Sequence, residues 1–413
     1  MENFRKIRVV FIVIIMSFCS IIFTGCTSGQ VSLFFTSYPS KIAYEIGEEV
    51  SFDGLKVEAL NTDGTTTVQS ISKDEISEVD TSSFGEKTVK ITKGQISTTF
   101  KIYVANKVVN SKDNLKTVIE NANDGDIIYI KKGEYKPDNN EDGSLYNILV
   151  NKKVVIIGDG KNSTVLHGNF LVGASESLGA YIPLENFEDV KFLNIGFKLD
   201  GSIENKYINY EGPYGNYDLY GAIKTFNTSK VLISGCSFSG YSYGINANNI
   251  DNLTMINNDF KDIKINALRV SSNIENSTIS KNNFINIGFS SIVMENNKQG
   301  FVSALYLSFY KKGNLGVIIS NNNFSRIGLL NGGYVYCNPG ADELEANEEL
   351  KLTKMSYVNN SAIIFLVSST ENNLEAGGII LSSNNYGKTL ENISFGTDEN
   401  NLINQSGVII NEA

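Results

Sequence analysis

Two basic side chains occupy equivalent positions in two short segments of alternating pattern. Lys224 is the centre of residues 222–226, and Arg269 is the centre of residues 267–271. A lysine amine can take or give a proton, and a guanidinium can hold a carboxylate through two hydrogen bonds. The pair could therefore bind an acidic ligand or transfer protons on it. Because no acidic pair accompanies them on the adjoining segments, Lys224 and Arg269 remain only candidates for catalysis, and the plainer interpretation is two solvated surface charges.

Four segments of this kind predict one exposed row of side chains on a β-sheet. Successive side chains of a strand point to opposite faces, so the middle residue points outward when its apolar neighbours point inward. The inward residues are Ile223, Ile245, Leu268 and Ile292. The outward residues are Lys224, Asn246, Arg269 and Val293, with Phe226, Asn248, Ser271 and Glu295 beside them. With strands about 4.8 Å apart, Lys224 and Arg269 are predicted to lie roughly 10 Å from each other.

Two long insertions flank this row in the sequence. The first covers about residues 200–220 and the second about residues 297–314, and both are rich in aromatic residues. Aromatic faces with a phenolic hydroxyl suit sugars, so we expect the insertions to wall a groove for a polymer. The residues predicted to contact this ligand are Tyr214, Tyr217, Tyr220, Lys224, Phe226, Tyr241, Tyr243, Asn246, Asn248, Arg269 and Glu295. The alternative is that the tyrosines only pack each insertion onto its own coils.

A repeated apolar pattern predicts how these segments stack. It ends at Phe238, Phe260, Phe284 and Phe324, which follow one another after 22, 24 and 40 residues. A unit of 22–24 residues is typical of one coil of a solenoid, in which each coil buries its apolar side on the next. Two residues before an aromatic residue stand Asn258, Asn282, Asn322 and Asn384, which are predicted to form a ladder of amide hydrogen bonds. Cys236 takes this place in one coil, which predicts a structural role.

The region before the repeats looks like the entrance of a right-handed parallel β-helix, in which a helix covers the exposed first coil. Ser111 is predicted to cap a helix that includes Leu115 and Ile119, and residues 124–130 then form a turn and an apolar strand. The predicted fold class is all-β. Residues 111–413 are predicted to form a right-handed, single-stranded parallel β-helix with an N-terminal capping helix.

These features are similar to the pectate-lyase-like superfamily, which includes pectate lyases, polygalacturonases and the chondroitinase/alginate lyases. The resemblance implies action on polysaccharides. In the chondroitinase/alginate lyases a lysine and an arginine transfer the protons beside a carboxylate-bound Ca²⁺, which implies those roles for Lys224 and Arg269. The chain departs from the pattern, because these two lie two coils apart without an acidic pair. It also lacks the Arg-x-Pro-x-x-Arg, Gly-His-Gly and Arg-x-Lys motifs of the other families.

A separate β-rich segment precedes the solenoid. Residues 55–59 and 65–68 alternate in polarity around Asp63-Gly64, which is a strong hairpin signal. The segment resembles the bacterial Ig-like domain, group 3. The matching residues are Tyr44, Gly47, Glu48, Gly54, Leu55, Val57, Ala59, Asp63, Gly64, Thr65, Val79, Asp80, Thr81, Ser82, Ser83, Gly85, Thr88 and Val89. The resemblance implies a β-sandwich over residues 31–105 that acts as a spacer or adhesive unit.

The N-terminus reads as a targeting segment. A basic start is followed by an apolar stretch that is too short to span a bilayer and that ends in Phe23-Thr24-Gly25-Cys26. This resembles the lipobox of bacterial lipoproteins, although Phe23 stands where leucine is usual. The resemblance implies a signal peptide at 1–25, lipidation of Cys26, a tether at 26–30 and an extracytoplasmic location on the membrane surface. An ordinary secretory signal or an uncleaved anchor is the alternative.

Composition limits the classes of partner and site. The net charge of −10 argues against nucleic acid, whose phosphates need basic partners. The single histidine excludes histidine-rich metal sites, and four cysteines are too few for a disulfide framework. Asp138, Asn140 and Asp142 resemble the first half of a calcium loop, but Leu149 stands where the closing glutamate belongs. We therefore predict no cofactor, with this turn as the one calcium candidate.

Three functional hypotheses remain. The leading hypothesis is a lipid-anchored cell-surface protein whose β-helix binds extracellular or cell-wall polysaccharide without cleaving it. The first alternative is a divergent polysaccharide lyase acting by β-elimination on uronate polymers. The second is a structural adhesin for a protein partner.

Overall fold

The computed structural model describes several stretches of the chain, which form two compact units. The described residues are 29–136, 147–177, 180–199, 221–288, 302–309, 313–327, 335–338, 361–368, 376–385 and 408–411. The first unit holds the described part of residues 1–40 together with 52–79 and 88–101. The second holds residues 41–51 and 80–87 and the described part of 102–413.

Seven strands and a short 3-10 turn (Lys73–Glu75) lie before residue 110. The strands are β1 (Gln30–Ser37), β2 (Ala43–Glu45), β3 (Lys56–Asn61), β4 (Thr66–Gln69), β5 (Gly85–Lys93), β6 (Ile96–Ala105) and β7 (Lys107–Val109). β3 and β4 pair antiparallel, and between them Asp63 Oδ1 accepts a hydrogen bond from the Thr65 N–H at 2.9 Å. Gly64 has a φ of +83°, a backbone conformation that glycine adopts without a steric cost. The predicted Asp-Gly hairpin is confirmed.

The α-helix of the entrance is α1 (Leu115–Glu120). Its cap is Asn114, whose side chain accepts from the Thr117 N–H at 3.0 Å, so the prediction of Ser111 is wrong. The helix begins later because the Asn110 N–H donates to Asp113 Oδ2 at 2.6 Å and holds a turn there. Leu115 is buried in the core shared with the strands that follow. In the part of the chain that the structure describes, no helix is long and apolar enough to cross a membrane.

Strands that pair almost entirely in parallel make up the rest of the second unit. They are β8 (Ile127–Ile130), β9 (Gly133–Tyr135), β10 (Asn147–Val150), β11 (Val155–Gly158), β12 (Thr164–Leu166), β13 (Asn169–Val172), β14 (Ala174–Ser177), β15 (Ala180–Pro183), β16 (Phe187–Leu193), β17 (Gly196–Lys198), β18 (Gly221–Thr225), β19 (Thr228–Ser234), β20 (Ser237–Ser239), β21 (Tyr243–Ile256), β22 (Asp259–Ile263), β23 (Asn266–Glu275), β24 (Thr278–Ser280), β25 (Asn283–Ile287), β26 (Val302–Phe309), β27 (Gly313–Ser320), β28 (Asn323–Ile327), β29 (Val335–Asn338), β30 (Ser361–Ser368), β31 (Ala376–Ser382) and β32 (Val408–Asn411). The exception is β14 and β15, which form an antiparallel hairpin.

The parallel strands stack into three faces of a β-helix. Face A contains β10, β13, β18, residues 243–247 of β21, residues 266–270 of β23, and β26. Face B contains β8, β11, β16, β19, residues 253–256 of β21, β24 and β27. Face C contains β9, β12, β17, β20, β22, β25 and β28. The chain passes each face once per coil, so the predicted solenoid is confirmed.

Asparagine marks the corners between these faces. The bend between face B and face C has a positive φ in successive coils, at Asn194, Gly235, Asn257, Lys281, Asn321 and Ser383. Glycine enters this region without cost, and asparagine enters it more easily than other residues with a Cβ. The sharp corners therefore explain why the repeats are rich in Asn and Gly.

Two predicted columns fill the interior. The rings of Phe197, Phe238, Phe260, Phe284 and Phe324 stack face to face, with centroids 4.6 to 5.1 Å apart. Beside them the amide Oδ1 of Asn282 accepts from the N–H and Nδ2 of Asn258, and Asn322 and Asn384 repeat the pattern. Cys236 is a buried free thiol in the same column, and its N–H donates to Asn258 Oδ1 at 2.9 Å. The ladder and the structural role of Cys236 are confirmed.

The second predicted insertion, about residues 297–314, is wrong in its extent. Residues 302–309 form β26, which pairs with β23 on face A in the place that the sequence assigns to residues 291–295. The physical reason is alternation: Leu305 and Leu307 are buried, while Tyr306 between them is partly exposed. The segment with Val293 and Glu295 lies outside the described residues.

Candidate functional site

The outward side of face A carries the predicted row in direct register. Lys224 pairs with Asn246, Asn246 with Arg269, and Arg269 with Tyr306. We call these four residues the face A row. Because neighbouring strands lie about 4.8 Å apart, the backbones of Lys224 and Arg269 are roughly 10 Å from each other. The predicted alignment of Lys224, Asn246 and Arg269 is confirmed, and Tyr306 takes the place predicted for Val293.

The guanidinium of Arg269 lies close to two aromatic rings. Its Cζ is 5.5 Å from the ring centroid of Tyr243 and 5.8 Å from that of Tyr306. Arg269 Nη1 also donates a hydrogen bond to the Tyr243 hydroxyl at 3.2 Å. The rings attract the cation and the hydrogen bond orients it, so the planar donor group is held in place at the surface.

The ammonium of Lys224 has an aromatic partner of its own. Lys224 Nζ lies 5.1 Å from the ring centroid of Phe226, at the other end of the row from Tyr306. Phe226 packs in turn against Leu171 and Ala174, which are fully buried. Each of the two cations is therefore supported by a ring that is anchored in the fold.

Amide and hydroxyl groups continue the polar surface beside the row. Asn248 Oδ1 accepts from Ser272 Oγ at 2.6 Å and from Ser271 Oγ at 3.4 Å, two residues of the next coil. Asn248 is partly exposed, so this cluster offers hydroxyl and amide groups next to Arg269. Such groups suit the hydroxyls of a sugar.

Tyr241 corrects one predicted ligand contact. Its side chain is fully buried, and its hydroxyl donates to the backbone oxygen of Gly168 at 2.8 Å. Burial raises the pKa of this phenol well above its ordinary value. Tyr241 therefore belongs to the core, and the prediction that it presents aromatic surface is wrong.

Three further predicted contacts are less exposed than the sequence suggests. Phe226 is 9% exposed, and Tyr243 and Asn246 are 3% exposed. The rings of Phe226 and Tyr243 lie against Lys224 and Arg269, so a ligand on this face meets mainly the two cations, Tyr306 and Asn248. This corrects the prediction of direct surface contacts at Phe226, Tyr243 and Asn246.

Several predicted site residues lie outside the described residues. They are Cys26, Asp138, Asn140, Asp142, Tyr214, Tyr217, Tyr220 and Glu295. Their lipidation, calcium or ligand roles stay predictions. Within the described ranges, no group of three or more His, Cys, Asp or Glu side chains is placed to hold a metal ion.

Two aromatic residues near the row are absent from the predicted ligand contacts. Tyr306 lies in the row, and Tyr181 on β15 packs against the buried cluster of Leu171, Ala174 and Phe226. The alternation of residues 302–307 is a signal for the strand that carries Tyr306. We find no sequence signal that places Tyr181 against this cluster, because β14 and β15 stand outside the repeat.

The single histidine has a structural position. His167 is buried, and its Nε2 lies 2.7 Å from Glu134 Oε1. The hydrogen bond from His167 lowers the pKa of Glu134, with a further electrostatic contribution from the same ring. This contact links consecutive coils of face C, so His167 has a role in the fold.

Known sequences identify the segment before the β-helix. Residues 37–104 match the family model of the bacterial Ig-like domain (group 3). The match falls inside the segment in which the sequence predicts this domain. No curated protein matches the chain.

Several solved structures that are similar to the chain are enzymes that act on polysaccharides. A PL6-family alginate lyase shares 14% identity at a TM-score of 0.39, and the match covers 74% of this chain and 39% of the lyase. The family 28 exopolygalacturonase of Yersinia enterocolitica shares 10% identity at a TM-score of 0.30. The match covers 87% of this chain and 68% of the exopolygalacturonase. The catalytic domain of a GH87 α-1,3-glucanase in complex with nigerose shares 12% identity at a TM-score of 0.36. The match covers 88% of this chain and 71% of the glucanase domain. Likenesses this low carry no information on what the chain binds.

Proposed function

We propose that the protein is held outside the cell by a lipid on Cys26 and binds an acidic polysaccharide along the face A row without cleaving it. The observation that carries the proposal is the pair of aligned cations, each beside an aromatic ring and two coils apart. The Ig-like segment serves as the spacer that presents the β-helix.

The spacing of the row favours a polymer that runs along the stacked coils. Consecutive strands lie about 4.8 Å apart, which is close to the length of one pyranose unit, so alternate sugars meet Lys224 and Arg269. A guanidinium binds a carboxylate through two hydrogen bonds, and an ammonium binds it as a point charge. One coil beyond Arg269, the Tyr306 ring offers an apolar face to the next sugar ring.

The environment of the two cations favours binding over β-elimination. In β-elimination a base and an acid act on one bond, so both must reach the same sugar, whereas Lys224 and Arg269 lie two coils apart. Arg269 is oriented by Tyr243 on a different coil from Lys224. The two groups thus serve two positions along a polymer rather than one reacting bond.

A binding panel tests this function. The protein carrying Cys26→Ser is titrated calorimetrically with alginate, polygalacturonate and hyaluronan, with neutral dextran as the control. We expect saturable binding to at least one acidic polymer, weakening as salt is added, and none to dextran. Equal binding to dextran, or binding to none of the polymers, contradicts the proposal. A steady rise of unsaturated-uronate absorbance contradicts the non-catalytic part and favours a lyase.

A further inference from the structure

The hairpin of β14 and β15 rises directly from face A. Glu176 pairs with Tyr181 and Ser175 with Ile182 in its antiparallel register. The hairpin begins at Gly173, where φ is +78° and a Cβ would lie 2.6 Å from Thr228 Cγ2. Only glycine fits this close approach, so the chain leaves the coil against its neighbour at a defined point.

This hairpin covers the N-terminal continuation of the face A row. Leu171 is the register partner of Lys224, and Leu149 is the register partner of Leu171, so both occupy outward positions. Leu171 is nevertheless fully buried, packed with Ala174 and Phe226, with Leu149 and Tyr181 against this cluster. Two outward positions are therefore taken up by the protein itself.

Tyr181 is fixed above this part of the sheet. Asn147 Nδ2, on β10, donates to the Tyr181 hydroxyl at 2.7 Å. Asn147 and Leu149 are two residues apart on one strand and share its outward side. The hydrogen bond thus places the phenol over the first coils of face A, where it meets the apolar cluster.

We propose that the hairpin is an end stop, so that the face A row takes the terminal units of an acidic polysaccharide chain rather than an internal stretch. This inference rests on the proposed function and adds to it which part of the polymer is bound. The accessible positions begin at Lys224 and continue through Arg269 to Tyr306, whereas the next outward position before Lys224 is filled by Leu171 under the hairpin.

The charge on the hairpin acts in the same direction. Glu176 is exposed and stands directly opposite Tyr181 in the hairpin, so the two side chains share one side of it. A carboxylate at this place repels the carboxylates of a polymer that would continue past the hairpin. The hairpin therefore excludes the polymer from the positions before Lys224 in two ways, because it covers them and because Glu176 repels the polymer's carboxylates.

The proposal is tested by measuring how much protein a polysaccharide binds as the length of its chains is varied. Fractions of polygalacturonate and of alginate that differ about tenfold in mean length are compared at equal mass of uronate, and bound protein is measured at saturation by equilibrium sedimentation. End binding predicts that capacity follows the number of chains, so the short fraction binds about tenfold more protein. Equal capacity for the two fractions overturns the end stop and leaves polysaccharide binding intact. No binding to any fraction overturns both.

Variants of the hairpin separate its role from that of the row. Replacing residues 175–182 with two glycines should open the row and make the capacities of the short and long fractions equal. Tyr181→Ala is a smaller change that serves if the shortened chain does not fold. It should also lower the ratio of the capacity of the short fraction to that of the long fraction. Ile182→Ser is the control, because Ile182 is exposed and lies on the opposite side of the hairpin from Tyr181. A ratio that stays near tenfold in the first two variants contradicts the proposal.

Discussion

Arg269 Nη1 donates a hydrogen bond to the hydroxyl of Tyr243, which lies on the preceding coil of face A. The bond joins the nearly buried side chain of Tyr243 to the partly exposed guanidinium of Arg269. A long side chain held this way loses less conformational freedom when a ligand binds, which favours affinity. The relation between these two residues is thus the clearest sign that the surface is preorganised.

Tyr243→Phe tests whether this hydrogen bond contributes to ligand binding. The substitution keeps the ring beside the guanidinium and removes only the hydroxyl that orients it. We expect the affinity for the acidic polymer found in the panel to fall about threefold to tenfold, corresponding to one hydrogen bond. Calorimetric titration measures the change. An unchanged affinity in a variant of unchanged melting temperature would show that Arg269 needs no orientation by Tyr243.

Asn282→Ala tests the energetic weight of the interior ladder. Asn282 accepts from the amide and N–H of Asn258 and donates to the Met255 carbonyl, all in buried surroundings. Its loss leaves these groups unsatisfied, so we expect about 3 kcal/mol or more of destabilisation in urea unfolding. Asn283→Ala is the matched control, since that exposed side chain donates only to Asp259 and should cost less than about 1 kcal/mol. Similar losses in both variants would contradict the ladder's role.

Cys236 is expected to be unreactive in the folded protein. Burial raises the pKa of its thiol to about 12, and thiolate is the form that reacts with alkylating reagents. Iodoacetamide at neutral pH should therefore leave Cys236 unmodified until the protein is unfolded in urea, as read by peptide mass mapping. Rapid labelling of Cys236 in the native state would contradict the buried ladder position.

Asp126 should make the free energy of unfolding depend on pH in the acidic range. Burial alone would raise the pKa of its carboxyl, but hydrogen bonds from the Asn123 N–H and the Asn106 amide, together with Lys107, lower it below its usual value. A lowered folded pKa stabilises the protein above the unfolded pKa of about 4, and this contribution is lost as pH falls through the folded value.

Asp126→Asn therefore has a pH-dependent effect. We expect the variant to be less stable than the parent by about 1–3 kcal/mol at neutral pH, with the difference shrinking as the pH is lowered below about 4. Urea unfolding at both pH values measures it. Asp74→Asn, on an exposed side chain, controls for the general loss of one acid. A difference that grows in acid would contradict a lowered pKa of Asp126 in the folded protein.

The parts of the fold that repeat could be predicted, because each coil must present the same kind of side chain to its neighbour. Phe260 and Asn282 are visible in the sequence for this reason. Tyr306 is not, because residues 291–295 alternate as regularly as 302–307 and compete for the same place on face A. Tyr241 and Tyr243 look equivalent in sequence, and only the hydrogen bond from Tyr241 to the carbonyl of Gly168, 73 residues away, shows that Tyr241 belongs to the core.

The most direct test of binding at face A compares two charge-neutralised pairs. Lys224→Gln with Arg269→Gln removes the cations of the face A row, while Lys198→Gln with Lys261→Gln removes two exposed cations that are also two coils apart, on face C. The net charge changes equally in both, so calorimetric titration with the acidic polymer isolates position from charge. We predict a loss of affinity of about a hundredfold for the face A pair and less than about threefold for the face C pair. Equal losses in the two variants, or no loss from the face A pair, would contradict binding at this row.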